Sequence, residues 1–224
     1  MTPIKVVYFS DVLCVWAYVG LLRVDAILRA YPQQVHVEHR FCSIFGDTAQ
    51  KIPATWGEVD GYRAFNAHLR HSLEPFPEVK LNPHVWTDVR PASSMSPHLF
   101  LKAIQLAERD EACAQGTFEA TARAMRAAFF ELGQDIAVEQ VQHEVALQAG
   151  VQLSAVEQLL RNGRAHAALA SDYQAATTLG VQGSPTFLLN DGRQKLYGNV
   201  GYRIIDANIQ ELLREPNPDQ ASWC

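Results

Sequence analysis

Apolar and polar positions along this chain follow two periods, and the places where the period changes mark out its elements. Residues 4–9 (Ile-Lys-Val-Val-Tyr-Phe) form a β-branched and aromatic run, the pattern of a strand buried on both faces. From Cys14 onward, Ala17, Leu21, Val24 and Leu28 recur at helical spacing. The run stops at Tyr31-Pro32, where proline forbids continuation. Residues 35–41 then alternate, with Val35, Val37, His39 and Phe41 on one side and His36, Glu38 and Arg40 on the other, which predicts a second strand. A strand, a helix and a strand in so short a stretch make a βαβ unit. Such a unit closes right-handed with parallel strands, and both strands end beside the N-terminus of the helix.

The pattern weakens over residues 45–93, where Pro53, Pro75, Pro77, Pro83 and Pro91 punctuate a segment whose only helical candidate runs from Thr55 to His71. From Ser94 to Leu179 the reading is helical. Phe118, Ala122, Met125, Phe129 and Leu132 form a core-facing stripe ended by Gly133, and Ser154-Ala-Val-Glu157 fits a capping box. Gly180 closes a further run through Leu169, Tyr173 and Ala176. Residues 185–197 read as a hairpin around Asp191-Gly192, and a last helix carries Ile205, Ile209 and Leu212. A βαβ unit and a ββα unit therefore flank a helical stretch of roughly 80 to 120 residues, an α/β order in which the two units share one sheet. No internal repeat is found.

Composition narrows the classes. At 224 residues, 48% apolar and 19% charged, the chain is of a size and kind that folds around its own core. A net charge of −5, from 19 basic and 24 acidic residues and without a basic run, lacks the attraction needed to neutralise many phosphates, so no nucleic-acid partner is expected. The longest apolar stretch, Val12 to Leu22, is far short of the roughly 20 residues that cross a bilayer. Asp11 precedes it and no small-residue cleavage site follows, so neither a membrane span nor a signal peptide is expected, and the chain reads as cytoplasmic. Four cysteines, at 14, 42, 113 and 224, are too few for a disulfide framework and are expected to be reduced.

Chemistry is most plausible where the first strand hands over to the first helix, at Phe9-Ser-Asp-Val-Leu-Cys14. A helix N-terminus carries partial positive charge and free N–H groups, both of which favour thiolate over thiol. The competing reading is that Cys14 is a small buried hydrophobe. A second feature, Gly180-Val-Gln-Gly-Ser-Pro185-Thr-Phe, places an X-Pro bond directly before a strand. Taken together with Ser10-Asp11-x-x-Cys14-x-Trp16-x-Tyr18-x-Gly20 and Phe129-Phe130-x-x-Gly133-x-Asp135-Ile136, these blocks resemble the thioredoxin superfamily. The long helical insertion narrows the resemblance to the DsbA-like branch, near FrnE-type proteins, 2-hydroxychromene-2-carboxylate isomerases and kappa-class glutathione transferases. The blocks are spread over nearly the whole chain. The resemblance implies a thioredoxin-like domain formed by residues 1–50 and 176–224, with a helical insertion over 51–175. It places Cys14 as the nucleophile and Pro185 as a cis-proline, with Asp11, Trp16, Ser184 and Pro185 binding substrate or glutathione. The Ser184 main chain would pair with an extended peptide or with glutathione. The related families often pair, which is compatible with a homodimer.

One departure matters most. The oxidoreductase pattern is Cys-Pro-Trp-Cys, whereas this chain has Cys14-Val15-Trp16-Ala17, and the second thiol that releases a mixed disulfide is missing. Release could come from glutathione in solution, from Cys42 just past the second strand, or from Cys224 on the C-terminal tail, while Cys113 reads as a helix-surface residue. Asp11 is either a plain cap on the helix start or a charge that opposes the Cys14 thiolate. His39 reads as a core residue. His68 and His71 share a helix face without a companion ligand, so no metal is expected. Gly180-x-x-Gly183 lacks the lysine and third glycine of a phosphate loop.

The leading expectation is thus a DsbA-like thiol–disulfide oxidoreductase with a single active-site cysteine and glutathione as co-substrate, with no tightly bound cofactor. Two alternatives stand beside it: a glutathione-dependent isomerase or transferase in which Cys14 only positions glutathione, and a member that binds peptide or ligand without turnover.

Overall fold

The structure is a computed structural model that describes residues 3–214. Four strands, β1 (Ile4–Ser10), β2 (Val35–Phe41), β3 (Thr186–Leu189) and β4 (Gln194–Tyr197), form one sheet in the order β2-β1-β3-β4. β1 and β2 run parallel, joined by α1 (Val15–Ala30). β3 is antiparallel to β1, pairing Tyr8 with Phe187, and β4 is antiparallel to β3. The hairpin turns through a short 3-10 segment at Asn190–Gly192, as the turn dipeptide predicts.

Strand alternation sorts the sheet's two faces. Val6, Tyr8, Val35, Val37, Phe187 and Leu189 pack against α1 and against the final helix, α9 (Tyr202–Leu213), through Val24, Ile27, Ile205 and Ile209. Phe9, Leu188 and Cys42 point to the other face, which Ala176 of α8 (Arg164–Thr178) covers. Gly20 is required where α1 crosses the sheet. A Cβ at that position would lie 2.5 Å from the Tyr8 hydroxyl oxygen, and that hydroxyl is itself fixed by donation to the Ala17 carbonyl at 2.9 Å.

Between β2 and β3 the chain runs through α2 (Thr48–Trp56), α3 (Gly61–Leu73), α4 (Met95–Arg109), α5 (Thr117–Phe130), α6 (Glu139–Gln148), α7 (Leu153–Arg161) and α8. Their shared core centres on Trp86, Phe129, Phe130, Leu101 and Met125, all fully buried.

Four local expectations are corrected here. The single helix expected over Thr55–His71 is two helices. Asp47 caps the first by accepting from Gln50 N at 3.0 Å, Pro53 lies inside it, and Gly57, at φ +102°, breaks the chain before α3. The capping box at Ser154 does not form, because α7 begins two residues earlier, after Gln152, leaving Ser154 within the helix. Leu132 falls beyond the end of α5 and is exposed, while the rest of its stripe is buried. Cys113 sits in the α4–α5 connection and is buried, not on a helix surface.

Candidate functional site

The segment linking β1 to α1 is held amide by amide. Asp11 N donates to the Ser184 hydroxyl (2.8 Å), Val12 N to His98 Nε2 (2.9 Å), Leu13 N to Asp11 Oδ1 (2.9 Å) and Cys14 N to the Asp11 carbonyl (3.1 Å). No donor in this buried turn is orphaned, which is the condition for a loop to be rigid without regular structure. Cys14 then occupies the N-cap of α1, with its carbonyl accepting from Ala17 N and Tyr18 N at 3.1 Å each. Its thiol donates to the Ser184 carbonyl at 3.1 Å, and the Ser184–Pro185 peptide bond is cis. Ser184 is half-buried and Pro185 buried, with the Pro185 carbonyl tied to Gly198 N of the β4 side at 2.8 Å. Trp16 is half-buried and meets the Phe76 ring edge-on at 6.2 Å. Cys14, Ser184 and Pro185 are therefore brought together.

Other expectations change. Only 6% of Cys14 is exposed, the burial expected of the competing reading as a small buried residue. The helix start was expected to lower its pKa, yet burial raises it. The Ser184 hydroxyl and the Ala17 and Trp16 amides pull the other way, and the Asp11 charge adds to the rise. At neutral pH the resting residue is a thiol, consistent with its donation to Ser184.

Asp11 is not the cap of α1, a place that Cys14 takes. Fully buried, its Oδ2 accepts from Ile44 N, Phe45 N and the Ser94 hydroxyl, each at 2.8 Å, so the carboxylate ties the β1–α1 turn to the segment after β2 and to the start of α4. Cys42, the internal candidate for the resolving thiol, packs away from the Cys14 cluster. It is buried on the α8 face with Phe9 and Leu188, whereas Cys14 packs with Val12, Leu13 and Val15 in the helical core. Burial raises the Cys42 pKa, and both thiols are free. Cys224 lies outside the described residues.

His98, Arg126 and Ser94 are the polar residues that periodicity missed. His98, on α4, is fully buried and stacks on Phe41 at 4.4 Å. Its Nε2 accepts from Val12 N, so the proton resides on Nδ1 and is donated to the Tyr173 hydroxyl at 2.9 Å. Arg126 of α5 is buried beneath the turn, donating to the Ser10 hydroxyl (3.0 Å) and the Ala122 carbonyl (3.3 Å). A polar residue on an apolar helical stripe signals such a network but does not reveal its partner. His39 is a half-buried ring between Tyr8 and Phe118, and His68 and His71 are exposed. Among the described residues, no group of three or more His, Cys, Asp or Glu is arranged to hold a metal ion. Nor is any helix among them long and apolar enough to cross a membrane.

Burial lowers the His98 pKa from its ordinary value of 6.5 to about 4, so the unfolded chain takes up this proton first. The contribution is fully present above pH 6.5 and is lost as pH falls toward 4, a loss on the order of 3 kcal/mol. Urea midpoints measured from pH 7 to 4.5 should drop more steeply for the native chain than for His98→Gln. Parallel profiles would contradict the assignment of a neutral, buried imidazole.

The DSBA-like thioredoxin domain family matches residues 5–210, and the chain belongs to that family. No curated protein matches it. Among solved structures it is similar to a probable DsbA oxidoreductase from Streptomyces coelicolor, at 22% identity and TM-score 0.72 over 96% of this chain and 92% of that one. It also resembles a 2-hydroxychromene-2-carboxylate isomerase (19% identity, TM-score 0.64, 97% and 100% covered) and the cytosolic disulfide reductase DsbM from Pseudomonas aeruginosa with GSH (19%, 0.62, 92% and 99%). At these identities the structures share the fold. The family holds thiol oxidoreductases and isomerases.

Proposed function

We propose that this chain is a one-cysteine thiol–disulfide oxidoreductase of the DsbA-like family that works with glutathione in a reducing, cytoplasmic setting. The observation that carries the reading is the 3.1 Å contact between the Cys14 thiol and the Ser184 carbonyl, which sets a sulfur at the first turn of α1 against the half-buried main chain before Pro185. In the first step Cys14 loses its proton and attacks a disulfide R–S–S–G. A Cys14–S–S–G bond forms, the R–S bond partner leaves as thiolate, and that thiolate takes up the proton. The developing thiolate at Cys14 faces the Ser184 hydroxyl and the Ala17 and Trp16 amides, which favour it. In the second step a glutathione thiolate attacks the mixed disulfide, giving oxidised glutathione and the Cys14 thiol. One glutathione thiol is thus consumed per turnover: its sulfur is oxidised to the disulfide level as the R sulfur is reduced to a thiol, and the glutathionyl half of the substrate passes unchanged into oxidised glutathione.

Because Cys42 packs on the other face of the sheet with Phe9 and Leu188, glutathione and not Cys42 is the resolving thiol in this scheme. With the Cys14 pKa raised, the rate should climb about ten-fold per pH unit from pH 7 to 8.5. Glutathione-coupled reduction of a small mixed disulfide checks the reading. Cys14→Ser should abolish it and Cys42→Ala should retain it. Reduction that survives Cys14→Ser would overturn the proposal, and glutathione-dependent turnover of an aromatic electrophile by Cys14→Ser would point to the isomerase or transferase chemistry instead.

A further inference from the structure

Of the four amides in the β1–α1 turn, three are held by atoms that sequence neighbours or Ser184 supply, and one is not. Val12 N–H reaches 86 residues along the chain to His98 Nε2. That acceptor exists only in a neutral imidazole whose proton is on Nδ1, and the Tyr173 hydroxyl of α8 fixes that tautomer. The ring is clamped further by the Phe41 face of β2. The charged and titratable groups that face it are Asp11 from the turn, with Oδ1 3.7 Å from Nε2, Arg126 from α5, Lys102 from its own helix, and Tyr173. A protonated ring would have no lone pair for Val12 and would turn its Nε2–H toward the Asp11 carboxylate. The donor, Val12 N–H, lies two residues before Cys14 in a turn whose next amides form the start of α1.

We propose that His98 is a positioning residue for Cys14: by accepting from Val12 N–H it fixes the turn so that the sulfur is kept against Ser184 and the first amides of α1. The proposal rests on the reading of Cys14 as the reacting thiol. His98 never meets the substrate. It acts by keeping the thiolate where the Ser184 hydroxyl and the Ala17 and Trp16 amides can receive it, and a sulfur displaced from these groups is a weaker nucleophile at a given pH.

The test measures glutathionylation of the folded, full-length chain by oxidised glutathione, read on the tryptic peptide from Val6 to Arg23, which contains Cys14 and no other cysteine. The native chain, His98→Leu and His98→Gln are compared from pH 6.5 to 9. His98→Leu removes the acceptor, and the Cys14 rate should fall about ten-fold, with its rise displaced to higher pH. His98→Gln offers a carbonyl oxygen near the place of Nε2 and should recover most of the rate. A purely structural role would lower the urea midpoints of both variants without moving the pH dependence of the Cys14 rate. Leu and native profiles that coincide, or a Gln variant as slow as Leu, would overturn the role of His98. Should His98→Leu fail to fold, His98→Phe, which also lacks the acceptor, takes its place and is read in the same way. Absence of reaction at Cys14 in the native chain would instead overturn the underlying reading of the site, so the two failures are separate.

Discussion

Asp11→Ala is expected to cost about 5 kcal/mol, enough to leave the chain largely unfolded, because it strands three amides and a hydroxyl around an emptied buried site. Leu13 N, Ile44 N, Phe45 N and Ser94 Oγ all donate to this one carboxylate at 2.8 to 2.9 Å, and the residue is fully buried. Each unsatisfied buried donor costs about 1 to 3 kcal/mol, and relaxation or entering water recovers part of the sum. Asp11→Asn should fall between Ala and the native chain, since its amide keeps one acceptor oxygen but turns N–H groups toward N–H groups. Urea denaturation of the three proteins checks the order. A loss below 1 kcal/mol for Asp11→Ala would show that the carboxylate does not hold the turn.

The second large effect concerns the ion pair between Lys102 of α4 and Asp172 of α8, both almost fully buried. Asp172 also accepts from Phe41 N (3.1 Å) at the end of β2, and Lys102 donates to Gln105, whose amide in turn reaches the His39 carbonyl at 3.1 Å. Desolvation lowers the Lys102 pKa and the Asp172 charge opposes that shift, so removing the carboxylate leaves a buried ammonium with no counter-charge. Lys102→Met and Asp172→Leu should each cost about 3 to 5 kcal/mol, and the double variant clearly less than their sum, because neither orphan charge remains. Additive losses in the double-mutant cycle would mean that the two groups do not interact.

These two clusters mark the limit of what periodicity reveals. The βαβ unit was legible because β1, α1 and β2 each carry an uninterrupted period and Pro32 ends the helix. The hairpin was legible because Asp191-Gly192 names its own turn. Local chemistry also placed Cys14 at the start of α1. Its burial is not legible, because the core it joins is built largely from the helical insertion, and an exposed helix start and a buried one have the same local sequence. The Asp11 carboxylate looked like a cap because capping is a local interaction. Its true partners, Ile44, Phe45 and Ser94, lie 33 to 83 residues away. His98 and Arg126 reach 86 and 116 residues along the chain to the turn they hold, distances over which a polar residue on an apolar stripe gives no direction. Periodicity does not reveal the break between α2 and α3, because Pro53 reads as punctuation while Gly57 ends the helix.

The central claim is that the sulfur of Cys14, covered as it is, exchanges with disulfides. Incubation of the full-length chain with oxidised glutathione at pH 8, followed by mass mapping of its cysteine peptides, tests this directly. The account predicts a reducible glutathione adduct on the Val6–Arg23 peptide and none on the peptide bearing Cys42. An unmodified Val6–Arg23 peptide in a folded chain would contradict it.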